Sequence, residues 1–207
     1  MKIRGVEFAG AIARPGDPAP AELPQVAFSG RSNVGKSSLI NRILGRTRKQ
    51  VARVSATPGK TQQINFYRVN ADLAAGGGTE FLLVDFPGYG YARVPHDVRR
   101  SFRPLIERYL SQAAMLRGVV QLIDMRREPH AEDRQMLRFL ASLGLPVLIV
   151  LTKADKLGTS QRRAREEELI RLLDVDAEQV VAVSAKTGQG TDALMAGLDA
   201  LLQEDAP

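Results

Sequence analysis

Two glycines, a lysine and a serine stand at the spacing of a phosphate-binding loop in the run Gly30-Arg31-Ser32-Asn33-Val34-Gly35-Lys36-Ser37. Gly30 and Gly35 let the backbone curl so that successive N–H groups point inward at phosphate oxygens, and a helix starting there adds its dipole. Lys36 is then placed to bridge the β- and γ-phosphates of a nucleotide, and the Ser37 hydroxyl to ligate Mg²⁺. Three further groups suit the same chemistry. Asp85-Phe86-Pro87-Gly88 closes an apolar stretch, where the carboxylate can hold Mg²⁺ through water and the Gly88 N–H can sense a γ-phosphate. Thr152-Lys153-Ala154-Asp155 closes another. Guanine offers N1–H and N2–H₂ as adjacent donors that one carboxylate, Asp155, can accept together, and adenine lacks that pair. Lys153 can lay its aliphatic stem across the base. Ser184-Ala185-Lys186 follows a third apolar stretch, where the Ala185 N–H can reach the guanine O6. Singly, each has a plainer reading: a glycine turn with a surface lysine and a capping serine, an ordinary turn, a helix cap. Their common order and setting argue against coincidence.

The elements that must position these groups follow from periodicity. Residues 25–29 predict a buried strand running into the loop, and Leu39, Ile40, Ile43 and Leu44 predict a helix over 38–44 that stops at Gly45. Residues 63–69 and 80–85 predict a hairpin joined by Ala74-Ala75-Gly76-Gly77-Gly78. Further on, the pattern predicts helices at 95–116, 131–143, 160–173 and 191–202, alternating with strands at 119–124, 146–151 and 179–183. The expected fold is α/β, a three-layer P-loop NTPase G domain with a mostly parallel sheet and helices on both faces. Ligands in such sheets sit at the carboxyl ends of strands, where every motif falls. Residues 1–22 are expected to be an N-terminal arm or lead-in strand, and 23–204 one domain. Residues 47–62, polar, basic and broken by Thr57-Pro58-Gly59, are expected to be a mobile loop.

Composition narrows the function classes. With 207 residues, 44% hydrophobic and 25% charged, the chain is long enough for a sizeable core and ordinary for a globular protein. No run reaches the length of a membrane span, and the N-terminus lacks the features of a secretory signal, so a cytoplasmic protein is expected. The absence of cysteine removes disulfides, thiolate metal sites and a cysteine nucleophile. Neither His96 nor His130 has a partner at metal-ligand spacing. The formal charge of +6 concentrates in Arg42, Arg46, Arg48, Lys49, Arg53 and Lys60, and again in Arg93, Arg99, Arg100, Arg103 and Arg108. Charge alone leaves a nucleic-acid surface and a solvated basic face both open.

The four motifs together resemble the translation-factor class of small GTPases. More narrowly, residues 30–41, Thr57-Pro58-Gly59-Lys60-Thr61-Gln62, Asp85-Phe86-Pro87-Gly88-Tyr89-Gly90-Tyr91-Ala92 and Ile123-Asp124-Met125-Arg126 with Pro129 and Asp133 are similar to the EngB family of bacterial ribosome-biogenesis GTPases. The resemblance implies a GTPase that binds GTP with Mg²⁺, assists assembly of the large ribosomal subunit, and is linked to cell division and septation. It implies that Gly59, Lys60 and Thr61 line the nucleotide and that Thr61 closes onto Mg²⁺ and the γ-phosphate, with Thr57 the competitor on spacing alone. Asn33 is expected either to ligate K⁺ beside the phosphates, as in related GTPases, or to stabilise the loop. The residue after Gly88 is Tyr89, where many GTPases carry a water-orienting glutamine, so slow intrinsic hydrolysis is expected. The expected partners are the large ribosomal subunit or its precursor and ribosomal RNA, with no membrane, for a chain acting as a monomer. The alternative is a nucleotide-gated scaffold in septation whose hydrolysis is incidental.

Overall fold

A computed structural model describes residues 1–46, 52, 63–90 and 96–203, the side chains of 96–103 excepted. Seven strands form one sheet: β1 (Lys2–Ile12), β2 (Gln25–Gly30), β3 (Ile64–Asp72), β4 (Gly78–Asp85), β5 (Leu116–Asp124), β6 (Val147–Thr152) and β7 (Val180–Ala182). Their spatial order is β1-β3-β4-β2-β5-β6-β7. From β4 across to β7 every pairing is parallel, whereas β3 pairs antiparallel with both β4 and β1. The hairpin expected from the glycine run is the β3–β4 pair, in register from Asn65 opposite Asp85 to Asp72 opposite Gly78. Strand β1 takes up the weakly apolar N-terminal stretch and lies at the sheet edge.

Alternation along the central strands sends side chains to two helical layers. Val26, Phe28, Val120, Leu122, Leu148 and Val150 pack with α1 (Lys36–Ile43) and α5 (Thr191–Gln203), through Leu39, Ile40 and Ile43 on one helix and Leu194, Leu198 and Leu201 on the other. On the opposite face, Ala27, Leu82, Val84 and Val119 meet α2 (His96–Gln112) and α3 (Ala131–Ser142). Ile149 and Leu151 meet Leu169 and Leu173 of α4 (Thr159–Leu173). Burying each of the valine, leucine, isoleucine and phenylalanine side chains among these contributes about 1.5–3 kcal/mol. The expected three-layer architecture with a mostly parallel sheet is the one found.

Several boundaries differ from the periodicity. Helix α2 ends at Gln112, and β5 begins at Leu116 rather than at residue 119. Glycine in a strand reads as an interruption, but Gly118 is continuous with β5 because only hydrogen fits: a Cβ there would lie 2.7 Å from Leu201 and 2.9 Å from the Pro146 carbonyl. Helix α1 starts at Lys36, two residues before the expected start at residue 38, because Gly35 with φ +105° serves as its N-cap.

Candidate functional site

Strand β2 delivers Gly30 to the carboxyl end of the sheet, and the chain then turns through Asn33 (φ +64°) and Gly35 into α1. The first turn of α1 holds no acidic residue. Its leading N–H groups have no intrahelical acceptor, so the helix start favours an anion. Neighbouring strands hold the loop in place. The Thr152 hydroxyl at the end of β6 donates to the Val34 carbonyl at 2.7 Å, and Lys153 Nζ donates to the Asn33 carbonyl at 2.7 Å. From the β4 side, the Ser32 N–H donates to the Tyr89 carbonyl at 2.9 Å and the Tyr89 N–H to the Gly30 carbonyl at 3.3 Å. Ser32 Oγ donates to the Gly88 carbonyl at 3.3 Å and Arg31 Nη2 to the Gly90 carbonyl at 3.3 Å. Lys36 Nζ is in direct contact with Asp85 Oδ1, with both side chains at most 10% exposed. Residues 30–37 and 85–88 therefore form one assembly, packed so closely that a Cβ on Gly88 would sit 3.0 Å from Ser32 Oγ. Phe86 is fully buried beneath it, on the α2 face.

The second corner lies where β6 and β7 end. Lys153 takes a left-handed conformation (φ 64°), and the Ala154 N–H donates to the Val183 carbonyl at 3.0 Å. Ser184 Oγ donates to Asp155 Oδ1 at 2.7 Å and accepts from the Thr187 N–H at 3.1 Å. The Ser184 hydrogen bond, with Lys156 and Lys186 nearby, holds the Asp155 carboxyl below the usual carboxylate range, so the group stays an ionised acceptor for paired N–H donors. Arg42, from the last turn of α1, donates through Nε to the Ala185 carbonyl at 2.7 Å and through Nη2 to the Lys186 carbonyl. That guanidinium fixes the base-side loop from the phosphate-side helix. It is thereby removed from the free basic surface that its sequence neighbours suggested.

Three features were not legible as site residues in the spacing. The Tyr89 hydroxyl donates to Asp133 Oδ1 at 2.7 Å and accepts from the Gln121 amide. Asp133 in turn accepts the His130 N–H at 2.8 Å at the start of α3. Burial and the adjacent Asp133 carboxylate push the Tyr89 phenol well above its ordinary pKa, so it stays neutral. A glutamine inside an apolar strand was the available signal for Gln121. Asn41, buried on α1, bonds both ways with Ala52 of the following loop, at 2.8 and 3.0 Å. Asp124, at the end of β5, binds Lys153 and Arg126.

Gly59, Lys60 and Thr61, with the competing Thr57, lie outside the described residues, as do Arg48, Lys49, Arg53, Arg93 and the side chains of Arg99, Arg100 and Arg103. Among the described residues no three His, Cys, Asp or Glu cluster as a metal site, and no helix is long and apolar enough to cross a membrane.

A phosphate loop between strand and helix, tied to an Asp-x-x-Gly turn, with an ionised Asp155 and its Ser184 donor at the next strand ends, defines a P-loop GTPase. Residues 25–153 match the family described as 50S ribosome-binding GTPase. A probable GTP-binding protein EngB of Gemmatimonas aurantiaca is 48% identical over 98% of this chain and 95% of its own length, and one of Desulforamulus reducens is 45% identical over 99% and 96%. The chain belongs to the EngB family of GTP-binding proteins, which hydrolyse GTP. The fold is shared with a crystal structure of a probable GTP-binding protein engB (TM-score 0.67, 23% identity, 86% of this chain and 98% of that one). It is also shared with Era bound to MgGDPNP and a segment of 16S ribosomal RNA (TM-score 0.67, 24% identity, 89% of this chain and 58% of that one).

Proposed function

We propose that this GTPase is a switch in large ribosomal subunit assembly, and that its four motif segments hold the nucleotide. The observation that carries the reading is the 50S ribosome-binding GTPase family match over residues 25–153. The loop N–H groups and the first turn of α1 receive the phosphates, Lys36 bridges the β- and γ-phosphates, and the Gly88 N–H meets the γ-phosphate. Asp155 accepts the guanine N1–H and N2–H₂, the Ala185 N–H faces O6, and the Lys153 stem covers the ring. Ser37, Asp85 and Thr61 are the residues that would hold Mg²⁺. Their hydroxyl and carboxylate oxygens are the hard donors that ion prefers, and the Lys36–Asp85 contact supports a carboxylate kept at the loop. Bound there, Mg²⁺ neutralises charge on the phosphates. Asn33 is the residue that would take K⁺.

Hydrolysis transfers the γ-phosphoryl group to water and releases GDP and phosphate. The side chain after Gly88 is a phenol engaged by Asp133 and Gln121, which supports a low intrinsic rate in place of glutamine-assisted attack. GTP, through Thr61 and Gly88, orders the loops that bear the basic residues, and those residues meet ribosomal RNA. The chain acts in the cytoplasm as a monomer, with a family link to cell division and septation.

The test is pelleting with 50S subunits in GDP and in a non-hydrolysable GTP analogue, at two salt concentrations. The expected result is binding favoured by the GTP analogue and weakened by salt. Equal binding in both nucleotide states would end the switch reading, because a ligand without differential affinity shifts no equilibrium. Binding to division proteins alone would replace it with the septation scaffold.

A further inference from the structure

Resting on the base-site reading above, we infer that Asp124 is a positioning residue for the guanine base, acting through Lys153. The lysine is the group whose geometry needs explaining. Its backbone sits at φ 64°, a left-handed conformation that costs a β-carbon residue about 1–2 kcal/mol and persists only where surrounding contacts over-determine it. Its four-carbon side chain carries large rotamer freedom that must be suppressed before the stem can act as a flat floor. Two acceptors hold the ammonium: the Asn33 carbonyl of the phosphate loop at 2.7 Å and Asp124 Oδ2 at 2.8 Å. Between those ends the stem passes the phosphate loop, since a Cβ on Gly35 would lie 3.9 Å from Lys153 Cε. The loop carbonyl alone is one neutral acceptor. Asp124 adds a charged second one from a different strand, and two anchors fix a direction where one leaves a pivot.

Asp124 is itself held rigidly. Arg126 engages it with a two-pronged fork, Nε to Oδ1 at 2.9 Å and Nη2 to Oδ2 at 2.8 Å, and the Arg126 N–H adds a third bond to Oδ1 at 3.1 Å. The Asp124 side chain is 11% exposed. Burial opposes its charge, and the hydrogen bonds from Arg126 and Lys153 overcome that, holding the carboxyl well below the usual range. Arg126 also feels the Asp155 charge. Arg126 and Lys153 thus keep Asp124 ionised, a charged acceptor for the Lys153 ammonium.

The experiment measures affinity and dissociation rate of a fluorescent GDP on the full chain carrying Asp124→Ala, Lys153→Ala, both together, and Asp155→Ala. Loss of one charge-assisted anchor is expected to weaken GDP binding about tenfold in Asp124→Ala, mostly through faster dissociation. Lys153→Ala is expected to lose at least as much, and the double variant no more than Lys153→Ala alone. A purely architectural Asp124 would lower the melting temperature without this dependence on Lys153, so additive losses in the double variant overturn the inference. Asp124→Asn, which keeps the shape and one acceptor, is expected to fall between wild type and Asp124→Ala and serves if the alanine variant does not fold. Unchanged GDP affinity in Asp155→Ala would instead overturn the underlying base-site reading.

Discussion

Replacing Tyr89 with phenylalanine removes one oxygen atom and tests the arrangement behind Gly88. The phenol donates to Asp133 at 2.7 Å and accepts from Gln121, and these partners are 3% and 0% exposed. Neither can turn to water when the hydroxyl is gone. A hydrogen bond to a charged group contributes about 1.5–3 kcal/mol, and a stranded buried partner costs a similar amount. The other Asp133 oxygen keeps the His130 N–H at 2.8 Å, which limits the penalty on the carboxylate. We therefore expect Tyr89→Phe to lose about 2 kcal/mol, or about 4–8 °C in melting temperature for a chain of this size. Thermal unfolding followed by circular dichroism, with urea titration to convert the shift to free energy, measures it. Asp133→Asn is expected to cost a similar amount, because the amide has one oxygen to offer where the carboxylate accepts from both Tyr89 and the His130 N–H. The double variant should cost less than the sum of the singles, since the contact that Asp133→Asn weakens is the one that Tyr89→Phe has already removed. A Tyr89→Phe protein that melts within about 1 °C of wild type would refute the reasoning, because a contact worth about 1.5–3 kcal/mol shifts melting by more than that.

Two further outcomes are expected. Gly190→Ala should destabilise by about 3 kcal/mol or more in urea, since its Cβ would meet the Ala182 carbonyl oxygen at 2.1 Å on backbone held at φ +73°, whereas Gly144→Ala, with φ +67° and nothing within 4 Å, should lose only about 1 kcal/mol. Stability should also fall in alkali. Burial raises the phenols of Tyr89 and Tyr109 above their ordinary value near 10, so their contribution is full below about pH 10 and is lost as pH climbs from there toward the folded-state values. Tyr109→Phe, although weaker at neutral pH for want of its bond to Gln25, should show a flatter decline between about pH 10 and 11.5 in melting temperature.

What the sequence revealed and what it hid have a common physical origin. Phosphate and base motifs are local: Gly30 to Ser37 and Thr152 to Asp155 each lie within one turn of chain, so spacing along the sequence is spacing in the site. The alternation of apolar strands and helices likewise exposed the sheet, because burial repeats with the period of each element. Contacts between distant segments leave no such period. Arg42 read as one cation in a basic run, yet it is spent on two carbonyls across the molecule. Tyr89 read only as a missing glutamine, because its engagement with Gln121 depends on β5 lying beside the phosphate-loop strand. The start of β5 at Leu116 was hidden because sequence cannot show that Leu201 fills the space where a side chain on Gly118 would stand.

The Arg42 bridge also bears on how the molecule is made. Arg42 and Lys186 are separated by 144 positions, and the carbonyls that Arg42 holds arrive only with the last strand and helix. A nascent chain leaving the ribosome therefore exposes its phosphate loop long before the opposite wall of the site exists. A ligand stabilises a chain only in so far as it prefers the finished fold, so stabilisation by guanine nucleotide is greatest once this last segment is in place. Until then the chain relies on its own apolar faces, and a truncation ahead of residue 184 would leave Asp155 without its Ser184 donor and Arg42 without its two carbonyls.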